Sequence, residues 1–336
     1  MKVCVVGAGA IGGYMAVRLA HAGHDISAIA RGPHLAAIRA NGLTLIEAEQ
    51  ELVATKITAT DRITDVGPQD VVLLALKAHQ IAAVVDDLPA LLGPGTVLVT
   101  LQNGIPWWYF QNLGGEFADR VVETVDPGGV LFNAVDPNRV VGCIAYPAAT
   151  IAEPGVVRHI EGNRFPVGEL DGSASDRVKM VSGLLEEGGF KARVLDDIRS
   201  EIWLKLWGNL TFNPISALTH ATLVDICQFP MTRTLAATMM TEAQSIAERL
   251  GASFRVPMER RIAGAESIGK HKTSMLQDVE AGKPLEIDGM VGVVVELAEI
   301  TGVEVPTLRA LYACASLLNR TMQAEGIRIR GAPLTG

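Results

Sequence analysis

Met1-Lys2-Val3-Cys4-Val5-Val6-Gly7-Ala8-Gly9-Ala10-Ile11-Gly12-Gly13 decides the reading of the N-terminal half. Val3 to Val6 is a β-branched apolar run of the kind buried on both faces of a parallel sheet. Gly7, Gly9 and Gly12 then spell G-x-G-x-x-G, and residues 14–22 continue with helical spacing. Gly7 allows the tight turn, and Gly9 lets a pyrophosphate approach the loop amides, those of Ala8, Ala10 and Ile11 included. Gly12 lets the helix lie close to the strand, with its positive end towards the phosphates. Set between a strand and a helix, the pattern predicts a dinucleotide-binding βα unit; the plainer alternative is a glycine-rich turn closing an ordinary one.

The rest of this half repeats that alternation. Strands are predicted at 3–6, 25–30, 43–46, 71–76 and 97–101, with helices such as 14–22 and 81–91 between them. The pattern implies α/β architecture with a Rossmann-type doubly wound sheet. A β-rich stretch is expected through 121–146, 156–161 and 165–168, with turns at Asp126-Pro127-Gly128 and Glu153-Pro154-Gly155, followed by a helix at 175–187 and a strand at 191–195. Long amphipathic stretches then take over, at 198–216, 232–250, 258–263, 274–281, 289–301 and 307–324. The division expected is a dinucleotide-binding domain over 1–195 and an all-α substrate domain over 196–336, with a loose tail after Gly326.

The 336 residues suffice for two cores. An apolar content of 49% with only 5% aromatic residues suits aliphatic strands and Ala/Leu helices. The formal charge of −8 argues against nucleic acid and anionic membrane partners. No apolar run reaches the ~18 residues of a membrane span, and the glycine fingerprint occupies the place of a signal peptide. The four cysteines, Cys4, Cys143, Cys227 and Cys314, are scattered without a C-x-x-C pair. That argues against disulfides and zinc and for a cytoplasmic protein.

NAD-selective sites usually carry an acid about 20 residues past the fingerprint. Here the second strand runs instead into Arg31, whose guanidinium suits a 2′-phosphate, so the cofactor expected is NADPH/NADP. A solvated loop arginine is the alternative. Lys77 follows the 71–76 strand and Asn103 the 97–101 strand, both at carboxyl ends, where open α/β sheets bind ligands. Asn103 reads equally as a ligand group or as half of an Asn-Gly turn.

Lys205, Asn209 and Asn213 recur at i, i+4 and i+8 among Trp, Leu and Phe, which puts two amides and an ammonium on one stripe of a buried helix. Such groups need polar partners, supplied by a structural pocket or by a ligand. Pro214 suits a helix end there. Reduction of a carbonyl needs a cation or proton donor beside the oxygen, a role open to Lys205, especially if desolvation lowers its pKa from about 10.4. His220 reads as a loop residue. Ser274-Met275-Leu276-Gln277 has the capping-box pattern, with Ser274 as N-cap of a helix whose end could also hold a carboxylate. Glu286, in Leu285-Glu286-Ile287-Asp288, is either a first-turn acid or a site carboxylate.

Together these motifs resemble the ketopantoate reductase (2-dehydropantoate 2-reductase) family over nearly the whole chain. They are Gly7 to Gly12, Leu76-Lys77-Ala78, Gln102-Asn103-Gly104, Trp203-Leu204-Lys205-Leu206 with Asn209 and Asn213-Pro214, the Ser274 run, and Glu286-Ile287-Asp288. The resemblance implies NADPH-dependent reduction of 2-dehydropantoate to (R)-pantoate in pantothenate synthesis. Lys205 would be the proton donor, with Glu286 a second catalytic candidate. Asn103, Asn209, Asn213 and Ser274 would contact the 2-oxo acid substrate, and Lys77, Asn103 and Glu286 would line the cofactor and active-site cleft. His271 and Leu223 stand where some family members carry Asn, and Ile105-Pro106-Trp107-Trp108-Tyr109-Phe110 puts bulky aromatics beside Asn103. These leave open another branched 2-oxo acid or an imine; the rival from another class is a non-catalytic dinucleotide sensor. The aromatic cluster reads as packing between domains or at a subunit interface. Oligomeric state is not legible, a homodimer being one admissible form.

Overall fold

The computed structural model describes residues 1–331; the last residues of the tail, 332–336, lie outside the described residues. The chain divides into two compact units: Met1–Val121 with Gly128–Ile198, and Val122–Pro127 with the chain from Arg199 onward.

In the first unit an eight-stranded sheet runs in the order Val194–Leu195, Val167–Glu169, Val140–Cys143, Leu92–Thr100, Gln69–Leu74, Lys2–Val6, Asp25–Ile29, Thr58–Thr60. All neighbours are parallel except Val140–Cys143 against Val167–Glu169. Val3 to Val6 and Val71 to Leu74 are wholly buried, as the β-branched runs demand. The first strand lies between the second and the Gln69–Leu74 strand, so the chain order reverses there and the glycine loop leaves the sheet at its switch point.

The strand predicted at 43–46 forms, but not in that sheet. Leu43–Glu47 joins a separate four-stranded sheet with Gln50–Ala54, Val156–Glu161 and Ala148–Glu153. Helix Ala10–His21 is held between the two sheets, and adjacent glycines thin both its faces. A Cβ on Gly12 would lie 2.9 Å from Val5 of the large sheet, and one on Gly13 would lie 2.8 Å from Val157 of the small one.

The β-rich reading of 121–146 is corrected. Only Val140–Cys143 is a strand, preceded by turns and short helical pieces at Pro127–Gly129, Val130–Ala134 and Pro137–Arg139. Within the second unit, the amides of Glu123 and Thr124 donate to the two carboxylate oxygens of Glu296, each at 2.8 Å. A carboxylate takes the place of a ladder partner, which apolar patterning cannot reveal. The stretch predicted as a helix at 81–91 forms mainly as a 3-10 helix, Ala82–Leu91, with Pro89 inside, where no amide can donate.

The second unit is helical: Ile198–Thr219, Leu223–Gln228, Pro230–Arg249, Met258–Ser267, Ser274–Ala281, Val293–Thr301 and Pro306–Glu325. Trp203, Trp207, Leu206 and Leu210 of the first of these are buried, and Trp207 Nε1 donates to the Met240 carbonyl at 2.7 Å. That helix does not end at Pro214 but runs on to Thr219, at the expense of one backbone bond. Among the described residues all four cysteines are free, and no helix is long and apolar enough to cross a membrane.

Candidate active site

Ile29, Val6, Leu74 and Thr100 sit side by side in register on four neighbouring parallel strands. Their carboxyl ends therefore emerge along one edge and carry, in spatial order, Arg31, the glycine loop, Lys77 and Asn103. With strands ~5 Å apart, this row spans the dimensions of a dinucleotide. Arg31 is exposed at the start of helix Gly32–Asn41; Lys77 and Asn103 are half-buried. Gly104 takes φ +85°, so the Asn-Gly pair does turn the chain at the sheet edge.

The three fingerprint glycines have three different reasons. Gly7 has φ +98°, and a Cβ there would lie 2.8 Å from Leu76. A Cβ on Gly12 would lie 2.2 Å from the Gly7 carbonyl oxygen. Gly9 has an ordinary φ of −77° and nothing within 4 Å of where a Cβ would stand. Neither backbone strain nor packing explains that glycine, whereas a phosphate lying against the loop does. The amides agree with this. Those of Gly7 and Ala8 both donate to the Ile29 carbonyl (3.2 and 2.8 Å), and the first helical bond runs from Gly13 N–H to the Gly9 carbonyl (2.7 Å). The amides of Gly9, Ala10, Ile11 and Gly12 precede that bond and have no helical acceptor. The loop fits a dinucleotide.

In the second unit, Lys205, Asn209 and Asn213 line one stripe of Ile198–Thr219. From Glu201 to Ala217 only Lys205 and Asn209 are partly exposed, so this helix opens to solvent at those two residues. Asn213 is 5% exposed, and its Nδ2 lies 3.5 Å from both Ser274 Oγ and Met290 Sδ. The capping box read at Ser274 is corrected. Thr273 is the N-cap, accepting from Leu276 N–H at 3.3 Å, and Gln277 turns back to the Lys272 carbonyl. Ser274 is instead the first helical residue, exposed, with its hydroxyl released from capping. Thr273 and Ser274 both offer a hydroxyl to the same cap, and residue type alone does not choose between them.

Glu286 is half-buried just ahead of a π-turn, Asp288–Gly292, a feature frequent at functional sites. Both its flanks are anchored to helix Pro306–Glu325. Leu285 N–H donates to Asn319 Oδ1 at 3.0 Å, and Tyr312 O–H donates to Asp288 Oδ1 at 2.7 Å.

Sequence reasoning missed the neighbours of the stripe. Glu201, one turn before Lys205, is buried and takes both carboxylate bonds from Arg255, at 2.8 and 2.7 Å. Gly208 makes room for Arg261, whose Nη2 would lie 2.2 Å from any Cβ there. A glycine inside a helix costs ~1 kcal/mol against alanine, and that was the available signal. His271 and Leu223 prove to be neighbours, Leu223 N–H donating to the His271 carbonyl at 3.0 Å. His220 does lie past the helix end, at φ +60°. The aromatic cluster is buried against partners in its own unit: Trp108 Nε1 donates to Thr100 Oγ1 at 3.0 Å, and its ring fills the space beside Gly142.

Residues 3–172 match the family model described as ketopantoate reductase PanE/ApbA, and residues 197–319 match its C-terminal counterpart. A 2-dehydropantoate 2-reductase of Mesorhizobium japonicum is 50% identical over 314 residues, 93% of this chain and 96% of that one. A Ralstonia solanacearum protein solved as a candidate ketopantoate reductase superposes with TM-score 0.91 at 37% identity, covering 95% of this chain and 98% of its own. The fold is shared with D-mandelate dehydrogenase, solved with NADH and anilino(oxo)acetate, at TM-score 0.82 and 22% identity over 96% of this chain and 100% of that one.

Proposed function

Because the chain belongs to the ketopantoate reductase family, we propose that it reduces 2-dehydropantoate to (R)-pantoate with NADPH, a step of pantothenate synthesis. The observation that carries this reading is the polar stripe Lys205, Asn209 and Asn213, open to solvent at its lysine and meeting Ser274 at its far end. NADPH, when bound, supplies hydride to the carbonyl carbon C2. Lys205 stands beside the oxo oxygen, offsets the charge that grows there and gives the proton that completes the hydroxyl. Ser274, at a helix start, receives the substrate carboxylate. Asn209 and Asn213 bond the remaining polar groups, the 4-hydroxyl among them, and Glu286 orients them. Gly7 to Gly12 take the pyrophosphate, Arg31 the 2′-phosphate, and Lys77 and Asn103 the rest of the cofactor. A second reading, a sister 2-oxo acid, is favoured by His271 and Leu223 lying together where some family members have asparagines.

Lys205→Ala tests the assignment. NADPH binding and thermal stability should persist while turnover falls by about 10²–10⁴, the range for a positioned acid. Unaltered turnover would remove Lys205 from the chemistry.

A further inference from the structure

We propose that His34 is a positioning residue for the phosphate-binding loop, acting as a neutral imidazole that aims the Gly9 amide. The inference rests on the reading of Gly7 to Gly12 as a dinucleotide site.

His34 lies in helix Gly32–Asn41, within the first unit. Gly155 N–H donates to its Nδ1 at 3.0 Å, so Nδ1 carries no proton and Nε2 does. That Nε2 lies 2.8 Å from the Ala8 carbonyl oxygen and donates to it. The polarity of the two contacts leaves one tautomer, since an imidazolium would set an N–H against the Gly155 N–H. The far anchor is fixed. Gly155 takes φ +80° in the turn between Ala148–Glu153 and Val156–Glu161, a Cβ there would lie 2.9 Å from Ala37, and its carbonyl accepts from Thr44 N–H at 2.9 Å.

The consequence for the loop follows from peptide planarity. The Ala8 carbonyl and the Gly9 N–H share one peptide plane and point in opposite directions. Holding the carbonyl on His34 therefore turns the Gly9 N–H away from the imidazole, at a residue with nothing within 4 Å of where a Cβ would stand. The Gly7 and Ala8 amides are committed to Ile29, and His34 restrains the next plane, the one that presents the Gly9 amide.

The two contacts can be separated by substitution. His34→Gln can place an amide N–H near the position of Nε2 and keep the Ala8 bond; His34→Asn can place an oxygen near Nδ1 and keep the Gly155 bond; His34→Ala loses both. NADPH fluorescence titration gives the Kd, steady-state kinetics give KM for NADPH and kcat, and melting without cofactor gives Tm. His34→Ala should raise Kd and KM for NADPH by about three- to tenfold, the worth of one neutral hydrogen bond, with kcat within about twofold. Gln should recover most of that loss and Asn should not, although Asn should keep Tm at least as well. An unchanged Kd in His34→Ala, or Asn recovering the Kd while Gln does not, would overturn the proposal. Failure of the unsubstituted protein to bind NADPH would instead defeat the cofactor reading beneath it.

Discussion

The side-chain amide nitrogen of Asn213 lies 3.5 Å from the hydroxyl oxygen of Ser274, joining the third residue of the polar stripe on one helix to the first residue of another. Because Thr273 does the capping, neither group is needed to hold the second helix's end. Asn213→Ala and Ser274→Ala should each raise KM for the 2-oxo acid by about tenfold and leave the Kd for NADPH unchanged. The double variant should lose less than the product of the two, because the two side chains lie against each other and each helps to place the other. Full multiplicativity in steady-state kinetics would mean the two residues work apart.

Gly208 exists to admit Arg261. Gly208→Ala should destabilise the protein by roughly 1–3 kcal/mol through overpacking, despite alanine's better helix propensity. Adding Arg261→Ala should return most of that stability, since the atom a Cβ would strike at 2.2 Å is then gone. Denaturant unfolding of the two single variants and the double variant checks this; an equally unstable double variant would show that the helix needs the glycine for another reason.

Arg31 stands at one end of the strand row, the end proposed to take the adenosine half of the cofactor. Arg31→Ala should raise KM for NADPH by about tenfold or more, the worth of a charge-assisted contact, and barely change the use of NADH. Equal losses with both cofactors would assign Arg31 to the fold.

Alkali should weaken the protein in a traceable way. Burial first, then the hydrogen bond to Asp288, pushes the Tyr312 hydroxyl up to about 12; burial and the Glu47 carboxylate do the same to Tyr14. The unfolded value is about 10, so the folded state holds the proton more tightly. The associated stability is present below about pH 10 and is lost as pH rises towards 12. Thermal melts from about pH 9 to 12 should show Tm falling, and Tyr312→Phe should flatten part of that fall.

What the sequence disclosed was what depends on neighbours along the chain. The glycine loop is read from a local turn, and Arg31, Lys77 and Asn103 are found because each follows an apolar run that must be a buried parallel strand. The stripe of Lys205, Asn209 and Asn213 follows from helical spacing alone. What stayed hidden depends on distant partners. Arg261 over Gly208, Tyr312 and Asn319 bracketing Glu286, and Trp108 beside Gly142 have no sequence period. The 121–139 stretch looked like strand because apolar patterning cannot tell a ladder partner from the carboxylate of Glu296. The second, four-stranded sheet was missed because its two hairpins come from segments about a hundred residues apart in the chain.

The central claim is tested most directly by following NADPH absorbance with 2-dehydropantoate and, in parallel, with 3-methyl-2-oxobutanoate, which lacks the hydroxymethyl group. A site whose buried Asn213 amide pairs with a hydroxyl leaves that amide unsatisfied when the hydroxyl is missing, so kcat/KM should favour 2-dehydropantoate by about 10² or more. Comparable efficiency with the two compounds, or no NADPH oxidation by 2-dehydropantoate, would contradict the account.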